Sequence, residues 1–260
     1  MLPVCREDNG EIISDTMEDQ QKIIEETGKR YDDIIFRDDI VPPSVYQYQI
    51  DLRNTLIHHT FAGKKFSILL DLGCGTGFHI PALSQYTDNL IGADMSLNAI
   101  RQCKKKFDGD FVVCDVRHLP FKDNSIRCIW TAGVLHHVPR DLDTVIGSNI
   151  SRVLTPGGLF LVDEPNRLNP VNFFVLKFSK ADPTGEERAL RVSHVIRLLE
   201  LNDLIIVTTR FYELFSPFGL AGKSHFVFSI CKKIDSYLAG CFLSSFLIRW
   251  CICAEKKMSR

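Results

Sequence analysis

Residues 67 to 77, Ser-Ile-Leu-Leu-Asp-Leu-Gly-Cys-Gly-Thr-Gly, set an acid, Asp71, near the end of an apolar run and then three glycines, Gly73, Gly75 and Gly77, at alternate positions. Alternate glycines remove side chains where a backbone must bend sharply or lie against a ligand. A helix starting just after such a turn adds unpaired N–H groups aimed at the same place. The pattern predicts a loop that holds a nucleoside-containing ligand between a strand and a helix. A dinucleotide fingerprint needs its third glycine three positions after the second, and Phe78 stands there. The early Gly77 therefore argues against a pyrophosphate cofactor and a nicotinamide-dependent oxidoreductase.

Two more apolar runs end in acids, Asn89 to Asp94 and Asp110 to Asp115. A carboxylate at the end of a second strand can accept hydrogen bonds from both hydroxyls of a ribose, which makes Asp94 the ribose candidate. The acid followed by G-x-G-x-G resembles the first motif of the class I S-adenosylmethionine-dependent methyltransferases. The resemblance extends over about residues 66 to 164. Trp130 to Val138, with Leu-His-His-Val at its core, resembles the loop after the fourth strand, and Arg152 to Glu164 resembles the turn and fifth strand. It implies S-adenosyl-L-methionine as cofactor, held by Asp71, Gly73, Gly75, Gly77, Asp94, Met95, Asp115, Val116 and Ala132. Within that set, Asp115 would accept from the adenine amino group, the Val116 N–H would meet the ring, and Met95 would add apolar contact.

The implied reaction is an in-line displacement on carbon, for which the protein aligns the acceptor, excludes water and removes any proton the acceptor carries. No covalent nucleophile and no metal is required. His136 and His137 follow the fourth strand, and an imidazole has a suitable unperturbed pKa for a base. Asp163 and Glu164 end the fifth strand and point to opposite faces by strand alternation. His137 and Glu164 are the base candidates, although a histidine pair or an acid here can instead hold a loop. The nearest flavour within the family is the small-molecule methyltransferases that include the quinone-biosynthesis enzymes. Another reading is a non-catalytic binding or regulatory protein that keeps the fold.

The elements that would position these residues follow from the chain's punctuation. Residues 1 to 62 form a preface whose stretches 16 to 30 and 44 to 61 suit helices, separated by Pro42-Pro43, and this predicts a helical cap. From residue 63 onward, apolar runs of strand length alternate with helical stretches as far as 164, which favours βαβ units and a parallel sheet. Pro81 is tolerated early in the first core helix, and Ser96 is placed to cap the second. Pro165 to Pro170 reads as a loop, residues 186 to 201 as an amphipathic helix, 204 to 209 as a sixth strand and 246 to 254 as a last one. The resemblance implies a Rossmann-like α/β domain over 63 to 260, with a seven-stranded, mostly parallel sheet, an antiparallel last hairpin and helices on both faces.

The 260 residues carry a formal net charge of −1, which gives no electrostatic footprint for nucleic acid. Nine cysteines, an odd number without zinc spacing, suit reduced thiols in the cytoplasm. Residues 211 to 245 are rich in Phe, Leu, Ile and Cys and read as an acceptor lid, or as a helix packed on the sheet. Their charge-free run, Ser236 to Ile248, is shorter than the roughly 20 residues a spanning helix needs, so a peripheral membrane contact is the membrane expectation retained. The partner expected is a small, partly apolar acceptor, with oligomeric state left open.

Overall fold

The computed structural model describes residues 6–8, 11–13, 43–138, 143–170, 172, 189–214, 225–238 and 242–258. Strand β3 (Leu69–Leu72) is buried along its whole length, as expected of a parallel strand covered on both faces. It pairs in parallel with β4 (Leu90–Asp94) on one side and β6 (Ile126–Ala132) on the other. Outside β4 lies β5 (Asp110–Val113), and outside β6 lies β7 (Leu154–Pro165). The chain then adds β8 (Leu204–Tyr212) and β9 (Arg249–Lys256), with β9 inserted antiparallel between β7 and β8. The seven-stranded order is β5-β4-β3-β6-β7-β9-β8.

This order makes the chain build outward from β3 through β5 and then cross back to β6. The crevice at the carboxyl ends of β3 and β6 is therefore a topological switch point, where open α/β sheets bind ligands. One apolar cluster, with Leu70, Ile129, Phe160 and Trp250, fills one face of the sheet; another, with Leu69, Trp130, Leu161 and Cys253, fills the other. The alternation of neighbouring strand residues between the clusters follows from the two-residue strand period.

Of the two expected cap helices, α1 (Pro43–Phe61) is present and begins at the proline break. Its Ile57 and Phe61 enter the second cluster beside Phe66 and Leu83. The 16 to 30 stretch lies outside the described residues, and the preface is not wholly helical: β1 (Arg6–Asp8) and β2 (Glu11–Ile13) form an antiparallel hairpin. After the glycine loop the first core helix α2 (Ile80–Leu83) is a single turn that passes into a 3-10 turn at Ser84–Tyr86. Helix α3 (Leu97–Lys106) starts as the sequence indicates, with Ser96 Oγ accepting from Ala99 N at 3.0 Å.

Helix α4 (Asp143–Val153) leads into β7. Of the helix expected over 186 to 201, α5 covers Val192–Leu201, while residues 189–191 are not helical and Leu190 bridges to Asn166. Helix α6 (His225–Leu238) lies within the variable segment. The last strand, expected over 246 to 254, is shifted along the chain: Phe246 ends a 3-10 turn, the strand begins at Arg249, and Glu255 and Lys256 still pair with Ile205 and Leu204. Among the described residues no helix is long and apolar enough to cross a membrane.

Candidate active site

All three loop glycines adopt positive φ, +79° at Gly73, +53° at Gly75 and +89° at Gly77. Their surroundings differ. A Cβ on Gly73 would collide with the Val134 side chain, and one on Gly77 would lie 2.5 Å from Phe107. At Gly75 a Cβ would meet nothing within 4 Å. The outer glycines thus let the loop pack tightly against β6's exit and α3, while Gly75 presents bare backbone to open space. The loop is pinned by Gly73 N and Cys74 N donating to Ala93 O, and by Gly75 N donating to Asp94 Oδ2 at 2.8 Å. Asp94 Oδ1 accepts from Ser96 N at 2.8 Å, so this carboxylate ties the glycine loop to the start of α3.

Beneath the loop, Asp71 is buried, and its Oδ2 has no hydrogen-bond partner among the described residues. Burial, then the neighbouring Cys103 and Asp94, push its pKa well above the usual carboxylate range. An orphaned buried acid beside open backbone fits a ligand that carries a cationic group. Met95 is half-buried next to Asp94, Val116 is buried, and Ala132 is half-buried at the end of β6. Asp115 is also buried, and Arg117 clamps it: Oδ1 accepts from the Arg117 N at 2.8 Å and Oδ2 from Nε at 2.6 Å. Arg117 Nη2 completes the clamp at Oδ2, so the clamp takes up capacity that the expected adenine contact would need.

The rim of β6 and β7 is organised differently. Glu164 is fully buried; its Oε1 accepts from Val134 N at 3.0 Å and from Leu135 N at 2.7 Å, while Oε2 lies 2.6 Å from His136 Nδ1. Burial alone would raise its pKa, but His136 and the Leu135 N–H outweigh it and hold the carboxyl below its ordinary value. Both Glu164 oxygens are thus bonded to the histidine loop, the alternative to a base that the sequence leaves open for this acid. His136 is buried against it, and His137 stacks on His136 at a centroid separation of 3.9 Å.

Asp163, on the opposite face, is the centre of a buried network that the sequence reading did not assign. Its Oδ1 accepts from Arg53 Nε at 2.9 Å and from Arg249 Nε and Nη2 at 2.9 and 2.6 Å, and its Oδ2 accepts from the Tyr212 hydroxyl. Burial works against the charge on Asp163, yet Arg249, Arg53 and Tyr212 prevail and lower its pKa. Arg53 belongs to α1, so this cluster fastens the cap helix to the carboxyl end of the sheet. His79, just past the glycine loop, hydrogen-bonds Asn54 of α1 at 2.9 Å and meets Trp130 edge-on. Burial and then Arg53 pull its pKa down to about 3, so the ring stays neutral. Neither Asp163 nor Glu164 holds the Pro165 to Pro170 loop; Asn166, Asn169 and Asn172 do so, donating to carbonyls of Leu247, Phe246 and Ile248.

Residues 70–162 match the family model described as a methyltransferase domain. A sterol 24-C-methyltransferase of Schizosaccharomyces pombe is 36% identical over 109 residues, covering 39% of this chain and 28% of the relative. A ubiquinone/menaquinone biosynthesis C-methyltransferase of Desulfotalea psychrophila is 38% identical over 96 residues, 35% of this chain and 38% of the relative. A probable tRNA methyltransferase 9B of Bos taurus is 30% identical over 100 residues, 38% of this chain and 21% of the relative. The chain thus spans well under half the length of these three relatives. A solved S-adenosylmethionine-dependent methyltransferase from Archaeoglobus fulgidus superposes with a TM-score of 0.59 at 15% identity, covering 80% of this chain and 94% of that one. The strand order, the switch-point loop and the matched segment agree: residues 70–162 carry a methyltransferase domain, set in the fold of the class I S-adenosylmethionine-dependent methyltransferases.

Proposed function

We propose that this chain transfers the methyl group of S-adenosylmethionine to a small, partly apolar acceptor. The observation that carries the reading is the open side of Gly75 together with the unpartnered Asp71 Oδ2 at the end of the same strand and loop. S-adenosylmethionine supplies an electrophilic methyl on a sulfonium centre. Asp71 accepts from its cationic amino group, and Gly73 and Gly77 keep the loop in the shape that lets Gly75 approach. Asp94 would face the ribose hydroxyls, while Met95, Val116 and Asp115 would border the adenine and Ala132 would close the β6 side.

The acceptor approaches over β6 and β7, on the side where α1 is fastened to the sheet. His137 takes the acceptor's proton, and Glu164 acts through His136 to hold that loop in place. A small acceptor is favoured over a nucleic acid because a formal net charge of −1 supplies no field for a polyanion. The enclosure made by α1 through Arg53 and Asp163 points the same way.

Calorimetry with S-adenosylhomocysteine is the first test, followed by acceptor screening with labelled cofactor. Wild-type protein should bind saturably, and Gly75→Ala, which fills the open side, should weaken binding at least tenfold. Wild-type silence towards S-adenosylhomocysteine would remove the reading altogether.

A further inference from the structure

Helix α6 has two unlike faces. Val227 and Cys231 pack against Tyr48 and Leu52 of α1 and against Tyr212. Phe226, Ile230, Ile234 and Tyr237 recur at helical spacing on a second face and are 74%, 42%, 39% and 80% exposed. At 1.5 Å per residue this apolar stripe runs for about 16 Å along the helix. Its outer border carries exposed Ser229 and Lys233.

We propose that this stripe docks the protein on an anionic lipid surface, with α6 lying in the plane of the interface. Three features choose that occupant. The stripe is aromatic at both ends, and Phe and Tyr are side chains that settle at the boundary between acyl chains and headgroups. Lys233 flanks it on the outer side, where an ammonium group can reach lipid phosphates while its stem lies along apolar surface. At roughly 200 Å² for a wholly exposed side chain of this size, the four residues present about 500 Å². That is a large patch for a monomer surface, yet short of the roughly 800 Å² per partner that a stable protein interface buries, which disfavours a second copy of the chain.

The position gives the contact a use. α6 rests on α1, and α1 is fastened by Arg53 to Asp163 at the acceptor rim. A surface held at α6 lies one helix away from that rim, so an apolar acceptor dissolved in the bilayer has a short path to it. The docking face is separate from the glycine loop, so it stands or falls independently of the cofactor assignment.

Co-sedimentation of the full chain with phosphatidylcholine vesicles, with and without about one third phosphatidylglycerol, tests the proposal. Wild-type protein should pellet with the anionic vesicles. F226S/Y237S should lose at least fivefold of that binding, and K233E should lose binding to anionic vesicles only. Circular dichroism and S-adenosylhomocysteine binding of the same preparations should match wild type, which separates loss of docking from loss of fold or of cofactor site. Wild-type protein that stays in the supernatant would overturn the proposal. So would equal pelleting of F226S/Y237S, or a concentration-dependent dimer in size-exclusion chromatography that F226S/Y237S abolishes.

Discussion

The two halves of the carboxyl rim use buried carboxylates in opposite ways. On the β3–β4 side, Asp71 keeps an unpartnered oxygen and Gly75 faces open space, so groups are left for a ligand to complete. On the β6–β7 side, Asp163 and Glu164 are each saturated by the protein itself, one by two arginines and a phenol, the other by two backbone N–H groups and an imidazole. The direction of the pKa follows: upward at Asp71, where burial is unopposed, and downward at Asp163 and Glu164, where partners outweigh burial. An acid near the end of a buried strand can thus be a receptor for ligand or a fastener for loops, and its neighbours decide which.

Breaking the saturated side should have the largest effect. Asp163→Ala strands Arg53 and Arg249 in the interior, and removing one partner of a buried ion pair costs roughly 3 to 5 kcal/mol. Urea unfolding should show that loss, and proteolysis should find α1 released from the sheet. Asp71→Asn, by contrast, should leave stability equal or slightly raised, because it removes a charge that burial disfavours. Equal destabilisation by the two substitutions would erase the contrast. The linkage has a sign as well: Asp163's folded pKa lies below its unfolded value of about 3.8, so its contribution is in place above that value and lost as pH falls through the lowered pKa.

The same contrast explains what the sequence could disclose. Alternating glycines after an apolar run have few physical uses, so the tight turn at 73 to 77 was legible in the sequence, as were the alternating strands and helices over 67 to 164 and the Ser96 cap. The β6–β7 rim was not, because its fasteners come from distant parts of the chain. Arg53 belongs to the cap, Tyr212 and Arg249 to the last hairpin, and no local pattern joins them to Asp163. A lone arginine just before the buried Trp250 run was the available signal, since a charge in such a strand needs a partner. At Glu164, strand alternation shows where the side chain points and carries no information about the Val134 and Leu135 N–H groups that bond it.

A second test, smaller in effect, sharpens the division of labour within the saturated side. His137→Ala should lower turnover about 10²-fold at unchanged cofactor affinity, the scale for removing a general base. Glu164→Gln should also lower turnover, less steeply, because the amide keeps an acceptor for Val134 and Leu135 but loses the charge facing His136. The pH profile separates the roles. Loss of a base removes the acidic limb of the kcat profile, whereas loss of a positioning residue keeps that limb and lowers the plateau. Full turnover in both variants with the true acceptor would mean that alignment alone carries the reaction.

The remaining test lies on the open side and is a pH dependence of cofactor affinity. Asp71's raised pKa means that the free protein carries its proton at pH values where an exposed acid has lost it. Between the unfolded value near 3.8 and the raised folded value, the native state holds more protons than the unfolded one, so stability declines as pH climbs through that window. A cationic amino group beside Oδ2 reverses the balance, because it favours the carboxylate, and binding then expels the proton. Affinity for S-adenosylhomocysteine should therefore rise with pH, approaching about tenfold per unit below the raised pKa and levelling above it. Calorimetry between about pH 5 and 8, in buffers of different ionisation enthalpy, measures both the slope and the proton released. Asp71→Asn should bind more weakly and lose most of the slope. A wild-type affinity flat across this range, or an unchanged slope in Asp71→Asn, would show that Asp71 does not meet the amino group and that its proton stays in place when the cofactor binds.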